Sequence, residues 1–366
     1  MKKLFLLMML LSISAKSFAA GMATHMVITE VALDKISDPE LKALLKANRD
    51  AVLTGSIFPD TGNGYDYSLF AKKEQNYSRF THQPEFTEAY LAEIKADCRA
   101  PFNDCQALVA HFMGAEAHNM EDGIFHTLFN DERERMDPLA KETSLDQSGD
   151  FILINWYRWC RNLPEYYVPA DEVAEIFQKL GKDYKKTTII TGNQIHQAAL
   201  AGECLLAPFE KAGLEKKLPW EIKNIYTAPG GIDYTAGIVA DYWEALWLRL
   251  NGKDGQLALL NAVYPASGAE AIFPDTGIYL MFNQPVLTKT LNSSSIILTG
   301  PDQGAVNGIV RNQNKNRSEL TIFSEFIPES PLQPATTYAV VLTTDIADPA
   351  GKSLSQNYSW KFATLK

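Results

Sequence analysis

The sequence predicts a mostly α N-terminal domain followed by a small all-β sandwich, on three observations. From Thr24 to about Leu250 apolar residues recur at helical spacing; after about Gly255 they shift to short alternating or β-branched runs; and Pro, Gly and Asn punctuate those runs. At 366 residues the chain has room for two cores. The predicted boundaries are 1–19 for an export signal, 20–257 for the helical domain and 258–366 for the sandwich.

The chain opens with Lys2 and Lys3, an apolar core from Leu4 to Ile13, and then Ser17-Phe18-Ala19-Ala20, small residues of the kind a signal peptidase reads. The apolar run is shorter than the roughly 20 residues that span a bilayer, so cleavage between Ala19 and Ala20 is expected, with a secreted or periplasmic product and the cell exterior favoured. Cleavage removes Lys2, Lys3 and Lys16 and carries the formal charge from −10 to −13. Such a surface disfavours broad capture of nucleic acid. Four cysteines in an exported chain are expected to pair: Cys98 with Cys105 across a loop holding Pro101, Asn103 and Asp104, then Cys160 with Cys204. None has CxxC spacing, so a thiolate metal site is not expected.

The helical stretches are marked by Val27, Ile28, Val31, Ala32 and Ile36, by Leu41, Leu44 and Leu45, and by the runs Leu108–Leu128, Phe151–Trp159, Val173–Leu180 and Ile238–Leu250. Loops rich in Gly, Asn, Pro and Tyr separate them, notably Gly55–Tyr67 and Thr227–Tyr234. Strands are expected at Gly277–Phe282, Ser295–Thr299, Glu319–Phe323 and Thr337–Leu342. The hexapeptide Ile57–Gly62 recurs letter for letter at Ile272–Gly277, once in a polar loop after a helix and once before a strand. Those settings make Asp60 a candidate ligand and Asp275 a turn residue. The β module resembles bacterial Ig-like domains in Phe282–Val286, Leu332–Tyr338, Asp345–Asp348 and Trp360–Thr364, over nearly all of residues 260–366.

Chemistry concentrates in Ala115–Phe129, where His118, Asp122 and His126 recur every four residues in an apolar, helix-compatible run. Each step of four drifts only about 40° around an α-helix, so three metal-competent side chains share one face. The central carboxylate has two oxygens and can serve two cations, so the pattern points to a cluster; the plainer alternative is a helix whose His and Asp simply meet water. All six histidines, His25, His82, His111, His118, His126 and His196, fall in the helical domain. Acids stand near them at Asp60, Asp146 and Asp150.

In these pieces the sequence resembles the zinc-dependent phospholipase C family, related to the S1/P1 nucleases and to the catalytic domain of glycosylphosphatidylinositol-specific phospholipase D. The matching segments occur in family order: Gly21–His25, Gly55–Asp60, Thr81-His82, Gly114–His118 through Asp122 and His126, then Asp146–Asp150. The resemblance implies a phospholipase C/P1 nuclease-like helical fold and about three Zn2+ per chain. Asp60, His82, His118 and Asp122 match the first site, with Asp122 bridging. His126 and Asp146 match the second, where Glu142 stands in place of the family's histidine and Asp150 or His196 could substitute. For the third the family uses the mature N-terminal residue and a histidine five residues on, here Ala20 and His25, with Asp122.

The implied function is hydrolysis of a phospholipid at the glycerol-side phosphoester, phosphatidylcholine being the first guess, through a metal-activated water with Asp60 and Asp122 catalytic. Contact with the membrane is expected to be transient. Two rivals stand: an S1/P1-type single-strand nuclease, and a cell-surface binding protein that has lost catalysis. Tyr65, Tyr67, Phe70, Tyr77 and Phe80 could face a quaternary ammonium head group or simply pack. His111, seven residues before His118, is expected to support the site or the fold.

Overall fold

The computed structural model describes residues 21–67, 73–253, 255–260, 263–301, 304–312 and 318–366. The expected export signal, its expected cleavage point and Ala20 lie outside them. Contacts divide the chain into two units, one of residues up to His82 with Phe86–Trp243, the other of Gln83–Glu85 with Glu244–Lys366. This division by contacts falls inside the last long helix.

The first unit is helical. Its main helices are α1 Met22–Lys35, α2 Pro39–Ala47, α3 Arg49–Ile57, α4 Pro84–Asp97, α5 Gln106–Ile124, α6 Asn130–Met136, α7 Leu145–Tyr157, α8 Ala170–Lys179, α9 Lys186–Lys217, α10 Pro219–Asn224 and α11 Ile232–Leu250. Between α3 and α4 the chain makes a 3-10 helix, Phe58–Asn63, and single helical turns at Gly64–Tyr67 and Ser78–Thr81. Local chemistry sets several starts. Asp38 caps α2 by accepting from the Glu40 and Leu41 amides at 2.9 Å, and Pro39 follows it. Helix α1 has no such neighbour, and a distant residue serves instead: Asp150 accepts from Ala23 N at 3.1 Å, Thr24 N at 2.8 Å and Thr24 Oγ1 at 2.8 Å.

Helices α3 and α5 approach backbone to backbone because both carry glycine at the crossing. A Cβ on Gly114 would lie 2.0 Å from the Val52 carbonyl oxygen, and one on Gly55 would lie 2.3 Å from that of His111. Beside the crossing His111 is fully buried, its ring against Phe58, Tyr90 and Tyr167 and its Nδ1 3.1 Å from the Tyr90 hydroxyl. It supports the fold. Burial lowers its pKa from 6.5 to about 3. The unfolded imidazole takes its proton near 6.5 and the folded one does not, so stability is intact above that pH. It is then lost as pH falls toward 3, by about 1.4 kcal/mol per unit. His111→Gln is expected to flatten this acid limb in urea melts compared at neutral and mildly acidic pH.

The second unit holds two three-stranded antiparallel sheets, formed by β1 Ile278–Leu287, β2 Ile296–Thr299, β3 Gly308–Asn312, β4 Leu320–Pro328, β5 Thr337–Leu342 and β6 Tyr358–Ala363. One sheet runs β1-β4-β3 and the other β2-β5-β6. Strand β1 pairs with β4 from Ile278↔Phe326 to Leu287↔Leu320, with a register shift between Met281 and Val286. The core of this unit is built from Tyr279, Leu280, Phe282, Leu298, Phe323, Val340 and Trp360, all buried. Asp275 stands in an exposed turn, as expected. Both disulfides form, Cys98–Cys105 and Cys160–Cys204.

Candidate metal centre

The site is assembled on the first unit by segments far apart in sequence. Helix α1 brings His25, the 3-10 helix brings Asp60, the end of the Ser78–Thr81 turn brings His82, α5 brings His118 and Asp122, and α7 brings Asp146 in its first turn. His126 does not continue α5. It lies on a π-helical turn, Phe125–Phe129, in which Thr127 Oγ1 hydrogen-bonds the Gly123 carbonyl. The expected single α-helical row is therefore broken before its last member, and the wider turn offsets His126 from the face shared by His118 and Asp122.

Three of the imidazoles are held from behind. His118 Nδ1 lies 2.7 Å from the Ser56 carbonyl, His82 Nδ1 2.6 Å from the Ser78 carbonyl, and His25 Nδ1 2.6 Å from Glu121 Oε2. The carbonyl partners require Nδ1 to carry the proton, which leaves Nε2 as a bare donor. Those Nε2 atoms converge, His82 to His118 at 3.0 Å, and the His25 and His118 rings stack at 4.0 Å. Two bare lone pairs at that separation repel unless a proton or a cation lies between them.

Asp122 sits in the middle and divides its oxygens. Oδ1 faces His25 Nε2 at 3.6 Å and His126 Nδ1 at 3.8 Å; Oδ2 faces His82 Nε2 at 3.4 Å and His118 Nε2 at 3.5 Å. Asp60 flanks the second pair, Oδ1 at 3.4 Å from His82 Nε2 and Oδ2 at 3.8 Å from His118 Nε2. Asp146 Oδ1 lies 2.9 Å from His126 Nε2. Three groups of donor atoms lie within 4.8 Å of one another: His25, Asp60 and His118; His25, Asp122 and His126; His82, His118 and Asp122.

Buried atoms without hydrogen-bond partners test whether the cluster suits cations. His25 Nε2 and Asp122 Oδ1 are such atoms, and both belong to it. A polar group left so costs free energy unless something meets it, and a set of N and O donors fits zinc. Electrostatics agrees. Burial would raise the Asp60 carboxyl, but the His118 and His82 imidazoles outweigh it and hold the pKa down at about 2. Asp122 is likewise held well below the carboxylate range against its burial, by His118 and His126. His126 is raised to about 10, because Asp146 and Asp122 outweigh its burial.

Other expected residues fall elsewhere. Glu142 is exposed, on the 3-10 turn Ala140–Glu142, and belongs to none of the three donor groups. The four-residue spacing to Asp146 does not put both on one helix face, because α7 begins only at Leu145. The buried Arg133 guanidinium also pins that turn by donating to the Ala140 and Thr143 carbonyls at 3.1 Å. Asp150 is occupied as the cap of α1; burial raises its pKa to about 6, against the hydrogen bonds it shares with Glu203, Thr24 and Ala23. His196 on α9 is buried with Nε2 unpartnered, within electrostatic reach of Asp60, His118 and His25, and burial lowers it to about 4. It joins no donor group. Tyr65 and Tyr77 are packed, their hydroxyls 2.7 Å from the Thr188 carbonyl and 2.6 Å from Thr61 Oγ1. Phe80 lies beneath Arg79 and Lys182. The Tyr67 side chain and Phe70 lie outside the described residues.

Sequence reasoning passed over Glu121, a fully buried acid that accepts from Thr29 Oγ1 at 2.8 Å and orients His25. Its only sequence signal is a second acid beside Asp122 in an apolar run. Glu121→Ala is expected to lower zinc affinity about 10–100-fold, read by competition with a chelator. Asn63 was also missed; its Nδ2 donates to Asp60 Oδ1 at 2.8 Å. Beyond Asp60 and His82 opens a cavity of about 780 Å³, lined further by Asn63, Asp66, Glu74, Asn76, Ser78 and Arg79. That volume suits a small organic ligand.

A helical scaffold that gathers imidazoles and carboxylates around vacant donor atoms beside an open cavity defines a metal-dependent hydrolytic enzyme. Residues 24–188 match the model of the family described as zinc dependent phospholipase C, and residues 258–364 match the bacterial Ig-like domain. Residues 24–188 are therefore a zinc-dependent phospholipase C domain, which contains every donor residue described above, and the chain carries a C-terminal Ig-like domain. No curated protein matches it. Among solved structures it is similar at 12% identity to the S-layer protein rSbsC(31-844) and to surface layer protein SbsC, domains 1–6, with TM-scores of 0.23 and 0.24. It covers 46% of each of those chains while 89% of its own length is matched, and scores so low carry no argument.

Proposed function

We propose that the protein cleaves a phospholipid at the glycerol-side phosphoester, releasing diacylglycerol and the phosphorylated head group, with phosphatidylcholine the first substrate to test. The observation that carries the reading is the division of the Asp122 oxygens between two pairs of imidazoles. Asp60, His82, His118 and Asp122 would hold one zinc; His126 and Asp146 a second; His25 and Asp122, with the Ala20 amine and carbonyl, a third. Bound zinc supplies a Lewis acid that brings the pKa of water toward about 7 and offsets charge on the phosphoryl oxygens.

The chain's own groups do the rest. Asp60 is ionised, is fixed by Asn63 and faces the cavity, so it can accept the proton of the water that attacks phosphorus. The bond to the glycerol oxygen breaks as the new P–O bond forms, and that oxygen leaves with a proton. No serine or cysteine nucleophile takes part, and both cysteine pairs are disulfides. The same disulfides support an exported protein, secreted or periplasmic. Among the described residues no helix is long and apolar enough to cross a membrane.

The test is zinc content of the protein begun at Ala20, together with hydrolysis of a chromogenic phosphocholine ester, of phosphatidylcholine and of single-stranded DNA. About three zincs and ester cleavage are expected. DNA cleavage alone would move the assignment to a nuclease, and absence of tightly bound metal would overturn the catalytic reading.

A further inference from the structure

Helix α9 is apolar on two opposite faces. Inward it buries His196, Leu200, Ala207 and Leu214. Outward it exposes Ala198, Ala201, Leu205, Pro208, Phe209 and Ala212, which at about 100° per residue fall in one stripe about 100° wide. Phe209 is 83% exposed and Leu205 64%. Single exposed apolar residues are ordinary; a continuous outward stripe is not.

What lies beside the stripe narrows its occupant. The Cys160–Cys204 disulfide ties the neighbour of Leu205 to the turn that follows α7, and Lys211 Nζ sits 5.0 Å from the Trp156 ring centre. Tyr157, the last residue of α7, is 46% exposed just before that turn. Trp and Tyr beside exposed aliphatic residues are the composition that settles at a lipid–water boundary. Arg158, Arg161, Lys211, Lys216 and Lys217 are exposed around the patch, against the carboxylates of Glu165, Glu210 and Glu215. In a chain of net charge −10 this is a locally cationic face, complementary to an anionic bilayer surface.

We propose that the outward stripe of α9, with the Trp156–Arg161 turn beside it, is the surface on which the enzyme settles onto the bilayer that holds its substrate. This rests on the phospholipase reading. A lipase whose substrate sits in an interface gains from a helix that places its catalytic domain there, and Phe209 and Leu205 supply the apolar depth. The cations supply attraction that the acidic remainder of the chain lacks.

The test compares the whole protein with the double variant Leu205→Asp/Phe209→Asp, both positions being exposed and outside the metal centre. Co-sedimentation with vesicles of phosphatidylcholine containing phosphatidylglycerol is expected to fall at least tenfold, and vesicle hydrolysis with it. Hydrolysis of the soluble phosphocholine ester and the melting temperature are expected to stay unchanged. Equal vesicle binding by both proteins would overturn the proposal. So would a wild type that is dimeric in solution and a variant that is monomeric, which would give the stripe to a second copy. If the wild type cleaves no soluble ester, the phospholipase reading fails, and that outcome is read independently of vesicle binding.

Discussion

Asp122→Ala is expected to strip more than one zinc from the protein and to lower hydrolysis of a phosphocholine ester by three orders of magnitude or more. The reasoning is geometric. Each of the other donors serves one neighbourhood, whereas the two Asp122 oxygens face His25 and His126 on one side and His82 and His118 on the other. Removing it leaves imidazoles facing one another across a gap with no anion to balance them. Loss of an orienting partner alone costs about 10–100-fold in affinity or activity, and a shared ligand should cost well beyond that. Elemental analysis of the purified variant, with rates on the soluble ester, reads both parts. A variant that kept its full zinc complement would show that the carboxylate does not bridge.

Gly114→Ala is expected to be the most damaging change outside the donors, although it adds one methyl group 4 residues from His118. The new Cβ would meet the Val52 carbonyl oxygen at 2.0 Å and the Gly55 Cα at 2.9 Å, backbone atoms that cannot rotate away. Helices α3 and α5 must part. The Ser56 carbonyl rides on α3 and holds His118 Nδ1 at 2.7 Å, so the displacement reaches the metal centre. The stability loss should lie at or above the upper end of the roughly 1–3 kcal/mol typical of overpacking, and zinc affinity should fall with it. Thermal melting and chelator competition on one preparation check the two effects. A folded variant with native zinc affinity would mean that the two helices can part without moving His118.

Much of this architecture was legible in the sequence, and the places where it was not have physical causes. The row of His118, Asp122 and His126 follows from helical spacing, but a slip of backbone hydrogen bonds after Ile124 is not written in side-chain periodicity. The identical hexapeptides at Ile57 and Ile272 show the same limit. One copy ends a helix and makes a 3-10 turn with Asp60 buried, while the other forms a β-bridge and an exposed turn at Asp275. Tertiary surroundings decide between them. Glu142 was drawn toward the centre by counting four residues back from Asp146 across a helix start that periodicity does not locate. Strand β3 was passed over because it is five residues long and half exposed, with Ile309 turned 60% to solvent. Glu121 acts through Thr29 and His25 on another helix, so its own stretch shows no more than an acid beside Asp122, while Asn63 reaches Asp60 only because the polar loop expected there is wound into a 3-10 helix.

The π-helical turn at Phe125–Phe129 also bears on how this enzyme could be made sturdier. A π turn holds one residue more than a regular helix would over the same rise, and such turns persist where function retains them. Deleting Thr127 would let α5 run on into α6 as an ordinary helix, a change of the kind that raises melting temperature in a scaffold. It would also swing α6, and with it the chain that leads to Asp146, about 100° around the axis relative to His126. Thermal tolerance and metal retention are thus set against each other at a single backbone irregularity, and selection for heat resistance alone would be expected to erase it and leave a well-folded protein with an incomplete centre.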